Sequence, residues 1–347
     1  MEKLLDKWVC QTNWNQNIAS ALATFCALEN LEISKKTIFE NYIGRESMAN
    51  FSEVARFCSE WGVDYIELQF VKEHLDDQFL PAFVLMDKYV TTLVVKVEKE
   101  VVYYFDGVNG LMEESRDSFF NRSMGHIVLV EIGNYKKESY YEKHVLEEKE
   151  RLKKLNDDFS LQIFDNFLSP EECDILIEKG KSFYQRSEVR SANNERGSEV
   201  SSARTSSSAF LVHKDDFFDE IRERAAKLIH VNKERFESVQ LTSYTKGQLY
   251  EAHSDAFPEE DAKASDEGQR TDTVLVYLND DYEGGGTLFP HLNKIVKAKK
   301  GCAVTWKSLD DEGKINPIGF HGGLPVMNGR KYVSNLWVRD CDQNNWD

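Results

Sequence analysis

The sequence predicts two domains, an α+β unit followed by a β-sandwich or jelly roll. Three observations carry this reading. The chain has 347 residues, more than one compact core usually takes. The segment KKESYYEKHVLEEKERLKKLN, residues 136–156, is dense in charge of both signs and poor in apolar residues, which reads as a solvated linker helix. Before it, helical and strand signals mix. After it, short strand signals separated by glycine-rich turns dominate. The expected boundaries are 1–133, 134–156 and 157–347.

In the first unit, Asn17–Leu28 carries apolar residues at helical spacing. Phe51–Trp61 does the same and stops at Gly62, a helix C-cap. Strand-like runs rich in β-branched and aromatic residues follow at 65–70, 81–86, 91–97, 101–107 and 126–132. In the second unit, SLQIFDNFLSPEECDILIEKGKSF reads as strand, turn and helix. Ser169 is its N-cap, Pro170 opens the first turn and Glu172 completes a capping box. The polar stretch Ser187–Ser208 is expected to be a mobile loop that closes over bound substrate. Gly284–Gly286 reads as a tight turn and not a phosphate cradle, since no Gly-Lys-Ser helix start follows. The last strand signal is RKYVSNLWVRD.

Composition excludes several classes. A net charge of -17 offers no basic face for phosphates, so a nucleic-acid partner is not expected. No run approaches the roughly 20 apolar residues that cross a bilayer, so no membrane partner is expected. The N-terminus lacks a basic stretch followed by an apolar run, and DCDQNNWD is no ER-retention signal, so the expected location is cytoplasmic. Six cysteines with no Cys-x-x-Cys pair fit reduced thiols, not a disulfide scaffold or zinc site.

The chemistry is concentrated in YTKGQLYEAHSDAF, residues 244–257. On a strand, His253 and Asp255 point to one face, so both can reach one metal ion. His321, in GFHGGLPVMNGRKYVSNLWV, is the best third ligand. Two imidazoles and a carboxylate form the facial triad of non-haem Fe(II) oxygenases. A lone His-x-Asp is weak, since it arises by chance and a core histidine is the ordinary alternative.

The flanking residues strengthen the reading. YxxGxxYxxHxD, then YLNDDYEGGGTLFP, then HGGLPVxxGxKYVSNLW, in that order, resemble the prolyl 4-hydroxylase branch of the 2-oxoglutarate and Fe(II)-dependent dioxygenases. The resemblance covers Asp157 to Val338 and implies a double-stranded β-helix (jelly-roll) core. It implies that His253, Asp255 and His321 ligate iron as the catalytic centre. It also implies that Lys331 pairs with the far carboxylate of 2-oxoglutarate, with Tyr244 and Thr287 as hydroxyl donors. Physics agrees: a buried carboxylate needs a cation and hydrogen bonds. Tyr250, Trp337 and Arg204 match positions near a peptide substrate; the ordinary alternatives are two core aromatics and a solvated arginine. The implied cofactors are Fe(II), 2-oxoglutarate and O2, with ascorbate a candidate reductant. Related halogenases lack the Asp255 carboxylate, so its presence implies hydroxylation.

In the first unit, QTNWNQNIASALATFCAL, FSEVARFCSEWGVDY, TTLVVKV and YYFDGVNGLMEES resemble the bacteriocin-processing, papain-like cysteine peptidases. Gln11 stands at the oxyanion position and Gln16 where the nucleophilic cysteine belongs. Thr91 or Thr92 stands where the histidine belongs, and Asp106 remains, with Gly110 after it. An amide is no nucleophile and a threonine no base, so residues 1–133 read as a degenerate peptidase. The resemblance implies a recognition module that binds the leader of a ribosomally made precursor peptide and delivers its core to the hydroxylase, with proline the favoured target. Two alternatives stand beside it. One is a free-standing protein prolyl hydroxylase with a structural N-terminal domain. The other is a bifunctional enzyme with a live peptidase at Cys10 or Cys26.

Overall fold

The computed structural model describes every residue except 1, 13, 43–48, 70–74, 76–79, 160, 191–197, 212–215, 264–266 and 344–347. It divides into two compact units, Met1–Lys153 and Lys154–Asp347.

The first unit contains α1 (Glu2–Leu5), α2 (Asn17–Leu28), α3 (Lys35–Asn41), α4 (Ala49–Trp61), β1 (Asp64–Gln69), β2 (Ala82–Met86), β3 (Thr91–Val97), β4 (Val101–Asp106), β5 (Gly110–Ser115), α5 (Arg116–Arg122) and β6 (Ser123–Glu131), and most of α6 (Tyr141–Phe159). Its antiparallel sheet has the order β1-β6-β2-β3-β4-β5. Helix α2 is buried along Asn17–Cys26, as a helix that is apolar all round must be. Phe25 meets Phe57 of α4 and Phe83 of β2 edge to face, at 6.4 and 5.4 Å between centroids. Gly62 ends α4 at φ +72°, a left-handed conformation that glycine adopts without strain.

The charged segment expected as a solvated linker is bound to its own unit. The Glu138 carboxylate accepts from the Ser34 amide at 2.5 Å and the Thr37 hydroxyl at 2.6 Å, and meets His144. Lys36 reaches Glu147 at 2.9 Å. Charge density in the sequence showed these groups to be polar; their partners on α3 become visible only in three dimensions.

The second unit begins with β7 (Gln162–Phe164), α7 (Pro170–Gly180), β8 (Gln185–Arg186), β9 (Val189–Arg190), β10 (Ser198–Glu199), β11 (Ser207–Leu211) and α8 (Asp216–Ile229). It continues with β12 (Val239–Thr245), β13 (Tyr250–His253), α9 (Glu259–Lys263), β14 (Arg270–Tyr277), β15 (Glu283–Gly284), β16 (Thr287–Phe289) and β17 (Lys294–Val296). It closes with β18 (Ala303–Lys307), β19 (His321–Gly323), β20 (Val326–Asn328) and β21 (Arg330–Arg339). A seven-stranded sheet, β7-β18-β14-β21-β12-β11-β8, and a four-stranded sheet, β13-β19-β16-β17, make a jelly roll. The capping box forms as expected: the Ser169 hydroxyl accepts from the Glu172 amide at 3.2 Å, and the Glu172 carboxylate accepts from the Ser169 amide at 2.7 Å. Helices α7 and α8 cover one face of the large sheet through Leu176, Phe218 and Ile221, against Ala209, Val239, Leu241 and Leu336. The other face looks into the roll.

The described residues of the expected closing loop, Ser187–Ser208, make defined contacts. β9 and β10 pair, and Ser187 is hydrogen-bonded to Ser206 and Ser208 at 2.9 and 2.6 Å. Residues 191–197, its centre, lie outside the described residues. Gly284 and Gly285 have φ of +69° and +63°, the turn the sequence predicts.

Candidate metal and co-substrate site

β13 and β19 pair so that His253 stands directly opposite His321. Gly322 permits this pairing. A Cβ there would lie 2.9 Å from the Tyr250 carbonyl oxygen and 3.0 Å from the Ala252 amide, too close for any side chain. β13 ends at His253, so Asp255 arrives on the bend that follows and not by strand alternation. Thr273 of β14 holds it there, donating its hydroxyl to the Asp255 carboxylate at 2.7 Å.

The three side chains converge. His253 Nε2 lies 3.7 Å from Asp255 Oδ1, and His321 Nε2 lies 3.5 Å from Asp255 Oδ2. One ligand atom from each residue falls within 4.8 Å of the others. Each imidazole uses its Nδ1 on a backbone carbonyl, His253 on Glu251 at 2.8 Å and His321 on Gly319 at 3.0 Å. A carbonyl only accepts, so Nδ1 carries the proton and the Nε2 lone pair is free for a metal. Burial pushes His321 down to about 4 although Asp255 opposes it. Burial would raise Asp255, but His321 and His253 outweigh it and hold the carboxyl well below the usual range. Neutral imidazoles and an ionised carboxylate are the forms that bind Fe(II), so the donor set fits that ion.

The co-substrate residues lie on the large sheet and β16. Lys331 is 2 % exposed, and its amine sits 5.3 Å from the Tyr244 ring and 5.1 Å from the Tyr277 ring. Among the described residues no carboxylate pairs with it. Burial and nearby Lys297 push it down to about 7. A buried cation without a counter-charge fits the distal carboxylate of a 2-oxo acid. Tyr244 stands opposite Lys331 in the β12–β21 register. The Tyr277 hydroxyl donates its one proton to the Val296 carbonyl at 2.9 Å, so at 2.6 Å it accepts from the Thr287 hydroxyl. Tyr277 therefore orients Thr287.

Tyr250 stacks on His253 at 3.7 Å and 20°, and Arg204 lies over Tyr250 at 4.6 Å. Arg204 is not the solvated arginine of the ordinary reading. It is 8 % exposed and donates to Ser206, Ser208, Gln240 and the Glu188 carbonyl. Trp337 is buried, with the Arg270 guanidinium 3.7 Å above its ring. Arg270 in turn is gripped by both Glu237 oxygens at 2.7 and 2.8 Å. All nine site residues singled out from the sequence in the second unit line one cavity.

Sequence reasoning missed Thr273, Tyr277, Trp306 and Arg270. Trp306 packs on His321 at 4.5 Å. Thr273, Leu275 and Tyr277 share one face of β14 by period two, but Val274 and Val276 between them are apolar and buried as well, so no alternation marked that face.

Similarity to known proteins agrees with this geometry. The 2OG-Fe(II) oxygenase superfamily model matches residues 239–339. Probable prolyl 4-hydroxylase 3 of Arabidopsis thaliana is 32 % identical over 58 % of this chain and 79 % of its own length. A viral collagen prolyl hydroxylase from Paramecium Bursaria Chlorella virus-1, solved with 2OG, is 28 % identical over 53 % of this chain and 98 % of that one, with a TM-score of 0.42. A double glycine motif protease from an AMS/PCAT transporter, solved with a leader peptide, is 14 % identical over 35 % of this chain and 89 % of that one, with a TM-score of 0.32. The chain belongs to the prolyl 4-hydroxylase family of 2-oxoglutarate- and Fe(II)-dependent dioxygenases, hydroxylating enzymes that use Fe(II), 2-oxoglutarate and O2.

Proposed function

We propose that this enzyme hydroxylates a proline in a ribosomally made precursor peptide, whose leader is bound by residues 1–133. His253, Asp255 and His321 would hold Fe(II). Lys331, Tyr244 and Thr287 would hold 2-oxoglutarate. Tyr250 and Trp337 would shape the substrate side, with Arg204 acting through Tyr250. Fe(II) with 2-oxoglutarate and O2 supplies a decarboxylation to succinate and CO2 coupled to insertion of one oxygen atom into a C–H bond. The chain's own task is to orient both molecules and exclude water. The carrying observation is the buried amine of Lys331, without a carboxylate partner among the described residues, in the same cavity as the three converging ligands. The test is conversion of 2-oxoglutarate to succinate with Fe(II), O2 and no peptide. Wild type is expected to turn over and His253→Ala is not. No turnover and no Fe(II)-dependent 2-oxoglutarate binding by wild type would leave the chain a binding protein.

The N-terminal part of the proposal draws support from how its vestigial site is wired. The Gln16 side chain accepts from Thr12 twice, at 2.8 and 2.9 Å. The Thr91 amide donates to Asn17 at 2.8 Å, and Asp106 caps the amides of Val108 and Asn109. Burial pushes the Cys10 thiol up to about 11 and raises Cys26 further. Such thiols are poor nucleophiles, which argues against the bifunctional alternative. The six cysteines form no disulfide, which suits a reducing cytoplasm, the proposed location; no described helix is long and apolar enough to cross a membrane. The leader reading predicts that a precursor encoded beside this chain loses about 100-fold in kcat/KM when its leader is removed, the scale of a tethering effect. Equal turnover of the leaderless core would leave the N-terminal unit a structural part.

A further inference from the structure

The inward face of the large sheet continues beyond the cavity as a cross-strand row. Phe210 of β11 stands opposite Gln240 of β12, Gln240 opposite Asn335 of β21, and Asn335 opposite Leu275 of β14. Residues directly opposite share a face. The neighbours Ala209, Leu211, Val239, Leu241 and Leu336 are packed under α7 and α8, so this row looks into the roll. Asn335 and Leu275 line the cavity. Phe210, further out, is 58 % exposed.

Between the cavity and Phe210 lies a knot of side chains that fixes two amides. Gln240 Oε1 accepts from Arg204 at 3.2 Å, from Thr242 at 3.2 Å and from Asn335 Nδ2 at 3.0 Å. Asn335 Nδ2 also donates to the Thr242 hydroxyl at 3.3 Å. Arginine only donates, so the oxygen of Gln240 must face it, and Asn335 must in turn present its NH2 to that oxygen. The opposite ends, Gln240 Nε2 and Asn335 Oδ1, have no hydrogen-bond partner among the described residues. Gln240 is 2 % exposed, and a polar group so nearly enclosed favours a hydrogen-bond partner. One donor and one acceptor, side by side on adjacent strands, match the C=O and N–H that an extended chain presents.

We propose that Gln240, Asn335 and Phe210 form a subsite for the substrate peptide. The two amides bind its main chain beside the hydroxylated residue. Phe210 takes an apolar side chain about three residues further along, since two strand spacings are roughly 10 Å and extended chain advances ~3.3 Å per residue. The subsite rests on the peptide-hydroxylase reading given above. The co-substrate is not its occupant: Asn335 is four residues along β21 from Lys331, about 13 Å, further than a five-carbon dicarboxylate extends. Arg204 belongs to the subsite as the anchor that sets the Gln240 amide.

The experiment uses the whole enzyme with Fe(II), 2-oxoglutarate and ascorbate. The probes are nine-residue alanine peptides with a central proline and one leucine walked through the other positions. Oxidation is read as a 16 Da gain, and the thermal shift given by Mn(II) with 2-oxoglutarate shows that each variant is folded. Wild type is expected to prefer leucine about tenfold in kcat/KM at one position, three or four from the proline. Phe210→Ala is expected to erase that preference. Gln240→Glu exchanges the free donor for an acceptor and is expected to raise the peptide KM about tenfold for every probe, with kcat moving less. No preferred position, or a preference that survives Phe210→Ala, would overturn the subsite and leave the peptide reading standing. A Gln240→Glu effect that falls on the co-substrate KM instead would give the amide pair to 2-oxoglutarate and overturn it too. Oxidation of none of the peptides, with uncoupled 2-oxoglutarate turnover intact, would overturn the proline-peptide reading and the subsite with it.

Discussion

Asp255→Ala lowers both Fe(II) affinity and 2-oxoglutarate turnover by about a thousandfold, the equivalent of roughly 4 kcal/mol for removing one partner from a buried charged cluster. The carboxylate is the one anionic member of the triad, and it is 6 % exposed. Its removal leaves two imidazoles facing each other at 4.5 Å between ring centroids, with no anionic ligand to balance a divalent cation. Thr273→Val is the companion experiment. It keeps the volume and deletes the 2.7 Å bond that sets the carboxylate after β13 has ended. The expected loss is about 10- to 100-fold in metal affinity, as for other partners of metal ligands, with saturated turnover recovered at high Fe(II). Titration of each apoprotein with Fe(II), read by succinate formation, separates the two. Asp255→Ala with unchanged Fe(II) affinity would remove the carboxylate from the metal site.

The two variants also mark how far the site was legible. His253 and Asp255 were visible because two ligands two residues apart leave a short pattern. His321 is 68 positions from His253, and only the resemblance of its flanks joined it to them; the facing of the two histidines depends on strand pairing. Thr273, Tyr277 and Trp306 do their work from strands buried on both faces, such as the Val274–Tyr277 run of β14 and Ala303–Trp306 of β18. Burial on both sides erases the alternation that marks an inward face. Arg270 was hidden for a different reason, and Arg204 was legible only through the resemblance of its flanks. An arginine in a polar stretch reads as solvated until its partners, Ser208 and Gln240 in one case and Glu237 in the other, fold around it. In the first unit the long helices and most strands were legible from periodicity. Helices α3 and α5 were missed because seven residues span only two turns.

Lys331→Met is expected to stabilise the protein while abolishing its response to 2-oxoglutarate. In the folded chain the amine falls from an ordinary 10.5 to about 7, first through burial and then through Lys297. Between those values the unfolded chain holds a proton that the folded chain has released. Stability of the wild type therefore rises as pH climbs from about 7 toward 10, and the methionine variant lacks that rise. At neutral pH the buried lysine costs a few kcal/mol that a thioether of similar length does not, which corresponds to roughly 5–10 °C in melting temperature. The same depression predicts the pH dependence of binding. A carboxylate needs the protonated amine, so the wild-type affinity for 2-oxoglutarate with Mn(II) falls about tenfold per pH unit above 7, until it reaches the raised value of the paired amine. Calorimetric melting with and without Mn(II) and 2-oxoglutarate, repeated from pH 6 to 9, reads all three effects. A Lys331→Met protein that melts below wild type without ligand would show that the amine has a counter-charge, and one that keeps its 2-oxoglutarate shift would place the distal carboxylate elsewhere. The outcome expected here is an enzyme that carries an unstable lysine because the co-substrate supplies the missing charge.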